Sequence, residues 1–107
     1  MTENNGERTV QGWIWNENVQ PFLALLSHYA GYDFDGSDWQ AVELGLAYTD
    51  DEDPDRWYGY PLVGSDHHIE VRLARAVGGD EVFVRVTRTP GPELLLRADT
   101  LIAAFAA

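Results

Sequence analysis

Ile69, Val71 and Leu73 alternate with Glu70, Arg72 and Ala74, and Val82, Val84 and Val86 alternate with Phe83, Arg85 and Thr87. A period of two puts successive side chains on opposite faces of a strand, so each run is apolar on one side. Between the runs stands Val77-Gly78-Gly79-Asp80, which reads as the turn of a β-hairpin. On its outward face Glu70, Arg72, Arg85 and Phe83 predict a solvated surface whose charges pair across the strands.

The flanking segments decide what packs on this hairpin. Val19, Phe22, Leu23, Leu26 and Tyr29 form one stripe of a helix between Asn16 and Ala30. Asn16 or Asn18 offers its cap, Pro21 is tolerable only in the first turn, and Gly31 supplies the stop. Trp13 and Trp15, just upstream, fit a lid folded back on that helix. YDFDGSDW at 32–39 reads as a loop. From Ala41 to Thr49 the apolar Val42, Leu44, Leu46 and Tyr48 alternate with Glu43, Gly45, Ala47 and Thr49, which predicts a half-buried strand. DDEDPD at 50–55 ends it as an acidic turn. A further strand over Trp57–Val63 is pushed toward an edge or a bulge by Pro61. After the breaker at 90–92, Leu94–Leu96 fits either a fifth short strand or the opening of a helix. Asp99 is a good cap for a terminal helix bearing Leu101, Ile102 and Phe105. The expected fold class is α+β: an antiparallel sheet of three to five strands with an N-terminal and a C-terminal helix packed on one face. Residues 1–12 read as a flexible leader and 13–107 as a single domain.

Charge narrows the function. Eighteen acids against seven bases leave a net charge of −11, and every base is arginine. Residues 1–55 hold twelve of the acids and only Arg8, so the whole excess sits in the first half. Such a field repels nucleic acid and membrane surfaces and attracts basic proteins or cations. The absence of cysteine rules out disulfides, a CxxC redox pair and thiolate metal sites. The N-terminal residues lack a secretion signal's basic flank and apolar run, and no apolar stretch approaches the ~20 residues of a membrane span. A cytoplasmic protein is expected.

Signatures of chemistry are lacking. Gly78-Gly79 sits in a hairpin and is followed by Asp80, which would repel a phosphate. There is no GxSxG elbow. Asp66-His67-His68 could bind a transition metal, but adjacent histidines on a strand point to opposite faces. Asp50–Asp55 invites a calcium reading that fails the EF-hand pattern, since Pro54 and Arg56 occupy the later loop and no glycine marks the sharp turn. Carboxylates are abundant, yet a solvated run does not provide the desolvated pair that acid–base catalysis needs. No enzyme activity, cofactor or metal is expected.

What stands out is acids interleaved with aromatics: Asp33, Asp35, Asp38 and Trp39, then Asp50, Asp51, Glu52, Asp53, Asp55, Trp57, Tyr58 and Tyr60. Aromatic anchors within a charged rim are how protein interfaces obtain affinity, and concentrated carboxylates steer a basic partner. Trp39 and Trp57 flank predicted strands and serve equally well as core. Asp35-Gly36-Ser37-Asp38-Trp39, Gly45-Leu46-Ala47-Tyr48-Thr49-Asp50 and Asp53-Pro54-Asp55-Arg56-Trp57 lie between the leading helix and the later hairpin and leucine-rich terminal helix. In these segments and their order the chain resembles the small acidic α+β immunity proteins encoded beside bacterial polymorphic toxins. That resemblance implies a stoichiometric inhibitor that binds and neutralises one cognate toxin, with Asp35, Asp38, Trp39, Asp53 and Trp57 as carried-over candidate positions. A basic toxin, such as a nuclease, is the natural complement of the charge. Two other readings stay open: an acidic interaction domain that does not inhibit its partner, and a small ligand-binding domain or enzyme with a pocket between sheet and helices.

Overall fold

The computed structural model describes residues 8–60, 69–88 and 93–107. Its strands are β1 (Arg8–Trp15), β2 (Tyr58–Tyr60), β3 (Ile69–Arg75) and β4 (Glu81–Arg88), and its helices α1 (Val19–Tyr29), α2 (Gly36–Leu46) and α3 (Glu93–Ala104). The strands form one antiparallel sheet in the order β1-β4-β3-β2. The fold is thus α+β, with the sheet covered by helices on one face.

The hairpin that alternation predicts is β3–β4. The Ala76 N–H donates to the Glu81 carbonyl at 2.9 Å, and Gly78 takes φ +68°, where a side chain would be strained. Ile14, Val71, Leu73, Val82, Val84 and Val86 form the apolar sheet face, each at most 1% exposed. Over it pack Phe22, Leu23 and Leu26 of α1, Val42 and Leu46 of α2, and Leu95, Ala98 and Ile102 of α3. α1 follows its stripe and ends at Gly31 (φ +81°). There the Gly31 N–H donates to His28 O at 3.1 Å and the Tyr32 N–H to Ser27 O at 2.8 Å, a Schellman closure. Pro21 lies in the first turn, where no intrahelical donor is needed. Asn18 takes the cap position without a side-chain bond, and Asn16–Asn18 form a 3-10 turn.

The structure corrects several expectations. Residues 8–12 are not leader but the first part of β1, paired with β4 from Arg8↔Arg88 onward. Trp13 and Trp15 consequently project from the helix-free face of the sheet and do not cover α1. The segment from Ala41 to Leu46 belongs to a helix, not a strand, and that helix opens at Gly36, so residues 36–39 are not part of a loop. Val42 and Leu46, four apart, face the core, while Leu44 and Tyr48 are exposed. Leu94–Leu96 is helical, so Asp99 lies inside α3, not at its cap. β2 spans only Tyr58–Tyr60; Pro61–Val63, Asp66-His67-His68 and the breaker at 90–92 lie outside the described residues. No described helix is long and apolar enough to cross a membrane.

Candidate protein-interaction surface

The helix-free face is ordered in rows, because strand register fixes which outward side chains are neighbours. Gln11, Arg85, Arg72 and Gly59 lie opposite one another across β1, β4, β3 and β2. The next row holds Trp13, Phe83 and Ala74. Phe83 sits between two indoles, its ring centroid 5.2 Å from Trp13 and 5.4 Å from Trp57. Ala74 is fully buried although it lies on this face. Trp57 is half-buried; its indole N–H is enclosed with no acceptor among the described residues, so stacking holds the ring. On that ring stands Arg85, its Cζ 4.6 Å from the centroid and its Nε donating to Gln11 Oε1 at 3.1 Å.

Beyond the aromatic row lies the end of the sheet where the acids collect. Trp15 pairs with Glu81, and the Asn16 N–H donates to Asp80 O at 2.7 Å. An open depression there is lined by Trp15, Asn16, Glu17 and Asp80. Thr49, just before the acidic loop, accepts the Arg75 N–H at 3.0 Å and so fastens that loop to the same end. Asp50–Asp55, Glu17, Asp80 and Glu81 are therefore grouped beside the Trp13–Phe83–Trp57 row. The cations among them are Arg75, whose Nη2 donates to Asn16 Oδ1 at 3.3 Å, and Arg56, which reaches Tyr48 O at 3.5 Å.

The predicted site residues divide. Asp35 and Asp38 are occupied with structure. Asp35 Oδ1 accepts the Ser37 and Asp38 N–H groups at 3.0 Å, and Asp38 Oδ2 accepts the Asp35 N–H at 3.0 Å, closing a capping box on α2. The Asp38 N–H, with help from Ser37, holds the Asp35 carboxyl below its usual range. Asp38 Oδ1 also accepts from the Tyr32 hydroxyl at 2.8 Å, the main reason that hydroxyl titrates above its ordinary value. Trp39 and Tyr58 pack against the core, and Tyr60 is buried within it. Desolvation pushes the Tyr58 hydroxyl up. In the acidic loop, Asp50 accepts the Glu52 N–H at 2.9 Å and Asp53 the Asp55 N–H at 3.1 Å, shaping the turn around the 3-10 segment Pro54–Arg56. Glu52 and Asp55 are exposed, Asp50, Asp51 and Asp53 half-exposed. Asp33 is exposed on the separate loop before α2.

Of the predicted aromatics, Trp57 alone joins the acids on the helix-free face. Trp13, Phe83, Arg72 and Arg85 complete that surface. The outward parity of Phe83, Arg72 and Arg85 was readable from the hairpin alternation, and that of Trp13 only once residues 8–15 were assigned to a strand. Among the described residues no three His, Asp or Glu side chains are placed to hold a metal ion. Compared with protein-family models, curated proteins and solved structures, the chain finds no match.

Proposed function

We propose that this protein is a stoichiometric inhibitor of the immunity-protein kind, which binds a basic toxin through the helix-free face and its acidic end. One observation carries the reading: Trp57 stands one residue beyond the Asp50–Asp55 loop, after Arg56, and stacks into the aromatic row with Phe83. A continuous patch thereby offers packing area and negative charge together, the combination that gives an interface both affinity and steering. An exposed ion pair contributes only ~0–1 kcal/mol, so the carboxylates speed encounter while the aromatics hold the complex.

The test is co-expression with a toxin-like protein encoded beside this chain, scoring cell survival and co-elution at about 0.1 M and then about 1 M salt. Protection together with a complex that survives high salt is the expected result. A high-salt complex without protection would make the protein a non-inhibitory interaction domain. Binding lost at high salt would reduce the charge to a generic attraction and overturn the proposal.

A further inference from the structure

On the helix-free face, two arginines stand directly opposite each other. Arg72 of β3 and Arg85 of β4 are register partners in a chain whose net charge is −11. Like charges facing across strands destabilise a sheet, and the pairing of opposite charges expected for this face is not what the register gives. Glu70 lies opposite Thr87, and its carboxylate approaches Arg72 Nε at 3.7 Å, on a surface where Arg72 is 40% and Glu70 64% exposed. Among the described residues that is the single such contact; it is long and solvated, and no described carboxylate compensates Arg85.

The surroundings look like those of a receptor. Arg85 is fixed from two sides, by Gln11 at its Nε and by the Trp57 ring beneath its guanidinium. A planar fork already held in place loses little freedom when it binds an oxyanion in two-pronged fashion. Around the pair lies a polar depression of about 260 Å³ lined by Thr9, Gln11, Glu70, Arg72, Arg85 and Thr87. At the β2 end of the row Gly59 presents no side chain, and a methyl added there would meet nothing within 4 Å. Among the described residues the row is thus open sideways, next to Arg72.

We infer that the Arg72–Arg85 pair is a receptor for one carboxylate side chain of the protein partner. Among the described residues two guanidinium charges less that of Glu70 leave one positive charge, which a monoanion matches and a phosphate dianion overfills. The identity of the carboxylate's owner rests on the inhibitor reading; the anion site itself does not. The consequence is specificity. The partner is basic where it meets the acidic end and carries an acid about two rows further along the sheet. A basic protein lacking that acid would cover two like charges without pairing them, which penalises the wrong partner and fixes the register of the right one.

The experiment uses the full chain and a capped peptide, acetyl-Gly-Glu-Gly-amide, with its Gln counterpart as control. The Nε–H signals of Arg72 and Arg85 and the indole signal of Trp57 are followed by NMR at constant ionic strength. Saturable shifts at millimolar Glu peptide are expected, absent with the Gln peptide and weakened about tenfold or more in Arg72→Gln. Equal shifts with both peptides, or none, overturn the carboxylate site. Tighter binding of inorganic phosphate than of the Glu peptide overturns the choice of ligand. Because no partner is present, this outcome is separate from survival in the toxin assay: either result can fail while the other stands.

Discussion

The hydroxyls of Ser27 and Tyr60 lie 2.8 Å apart in the core, tying α1 to the edge strand β2. Ser27 is wholly buried and Tyr60 is 4% exposed, so water replaces neither partner. Ser27→Ala or Tyr60→Phe strands the remaining hydroxyl and should each cost about 1–3 kcal/mol. The double variant leaves no polar group unsatisfied and should cost less than the sum of the singles. Urea denaturation of the four proteins checks this.

Burial also pushes the Tyr60 hydroxyl up to about 12 from an ordinary 10.0. A raised value means that the folded state keeps its proton longer than the unfolded chain. The stabilisation is complete below pH 10 and is lost as pH rises through about 12. Tyr60→Phe should remove that contribution to the alkaline slope, measurable as denaturation midpoint against pH.

Gly45 faces the Tyr58 ring so closely that an added methyl would collide with its Cγ, Cδ1 and Cε1 atoms. In an exposed helix interior Gly→Ala gains about 1 kcal/mol. Here α2 would be forced off β2, and Gly45→Ala should destabilise by about 1–3 kcal/mol. In a Tyr58→Ala background the same change should turn stabilising. Failure of that sign reversal would mean the ring is not what Gly45 accommodates.

The Asp35 carboxylate holds the first turn of α2, and its bonds to backbone N–H groups lower its pKa from 3.8. A lowered value contributes stability present above the unfolded pKa and lost as pH falls through the folded one. Asp35→Ala should therefore lower the midpoint at neutral pH, with the difference from the parent shrinking below pH 3.8. Asp35→Asn, a competent cap, should keep most of the neutral-pH stability and lose the acid-side dependence.

How much of this was legible follows from particular residues. The hairpin was readable because Val82, Val84 and Val86 have no helical period, and α1 because its stripe has no strand period. The segment at 41–49 satisfied both: Val42, Leu44, Leu46 and Tyr48 alternate, yet Val42 and Leu46 are also one helical turn apart. The deciding signal was Asp35-Gly36-Ser37-Asp38, two acids spaced three apart, which is a capping box. In β1 the pattern was inverted, with Gly12 on the core face where Ile102 needs room, 2.8 Å from a would-be Cβ, and Trp13 and Trp15 facing out. Composition could not reveal that. The Arg72–Arg85 opposition depended on register, which the turn length alone did not fix. The acidic loop and Trp57 were visible as a motif; Phe83 and Trp13 join them only through the sheet.

Trp57 is where the inhibitor reading is most exposed to test. It supports Arg85 from below and continues the Phe83 row, so its removal withdraws packing area and loosens the fixed guanidinium together. The loop carboxylates, by contrast, form a group of several exposed or half-exposed acids, where loss of one is shared among the rest. Under the proposed inhibitor role, Trp57→Ala should therefore weaken binding of the basic partner by about 30-fold or more, chiefly through faster dissociation. Asp50, Asp51, Glu52 or Asp53 changed singly to Asn or Gln should stay within about fivefold and act on the association rate. Circular dichroism of Trp57→Ala guards against simple unfolding, and Trp57→Phe should restore part of the affinity. Equal losses across the four acids with Trp57→Ala silent would move the anchor off this face and leave the carboxylates as the whole of the attraction.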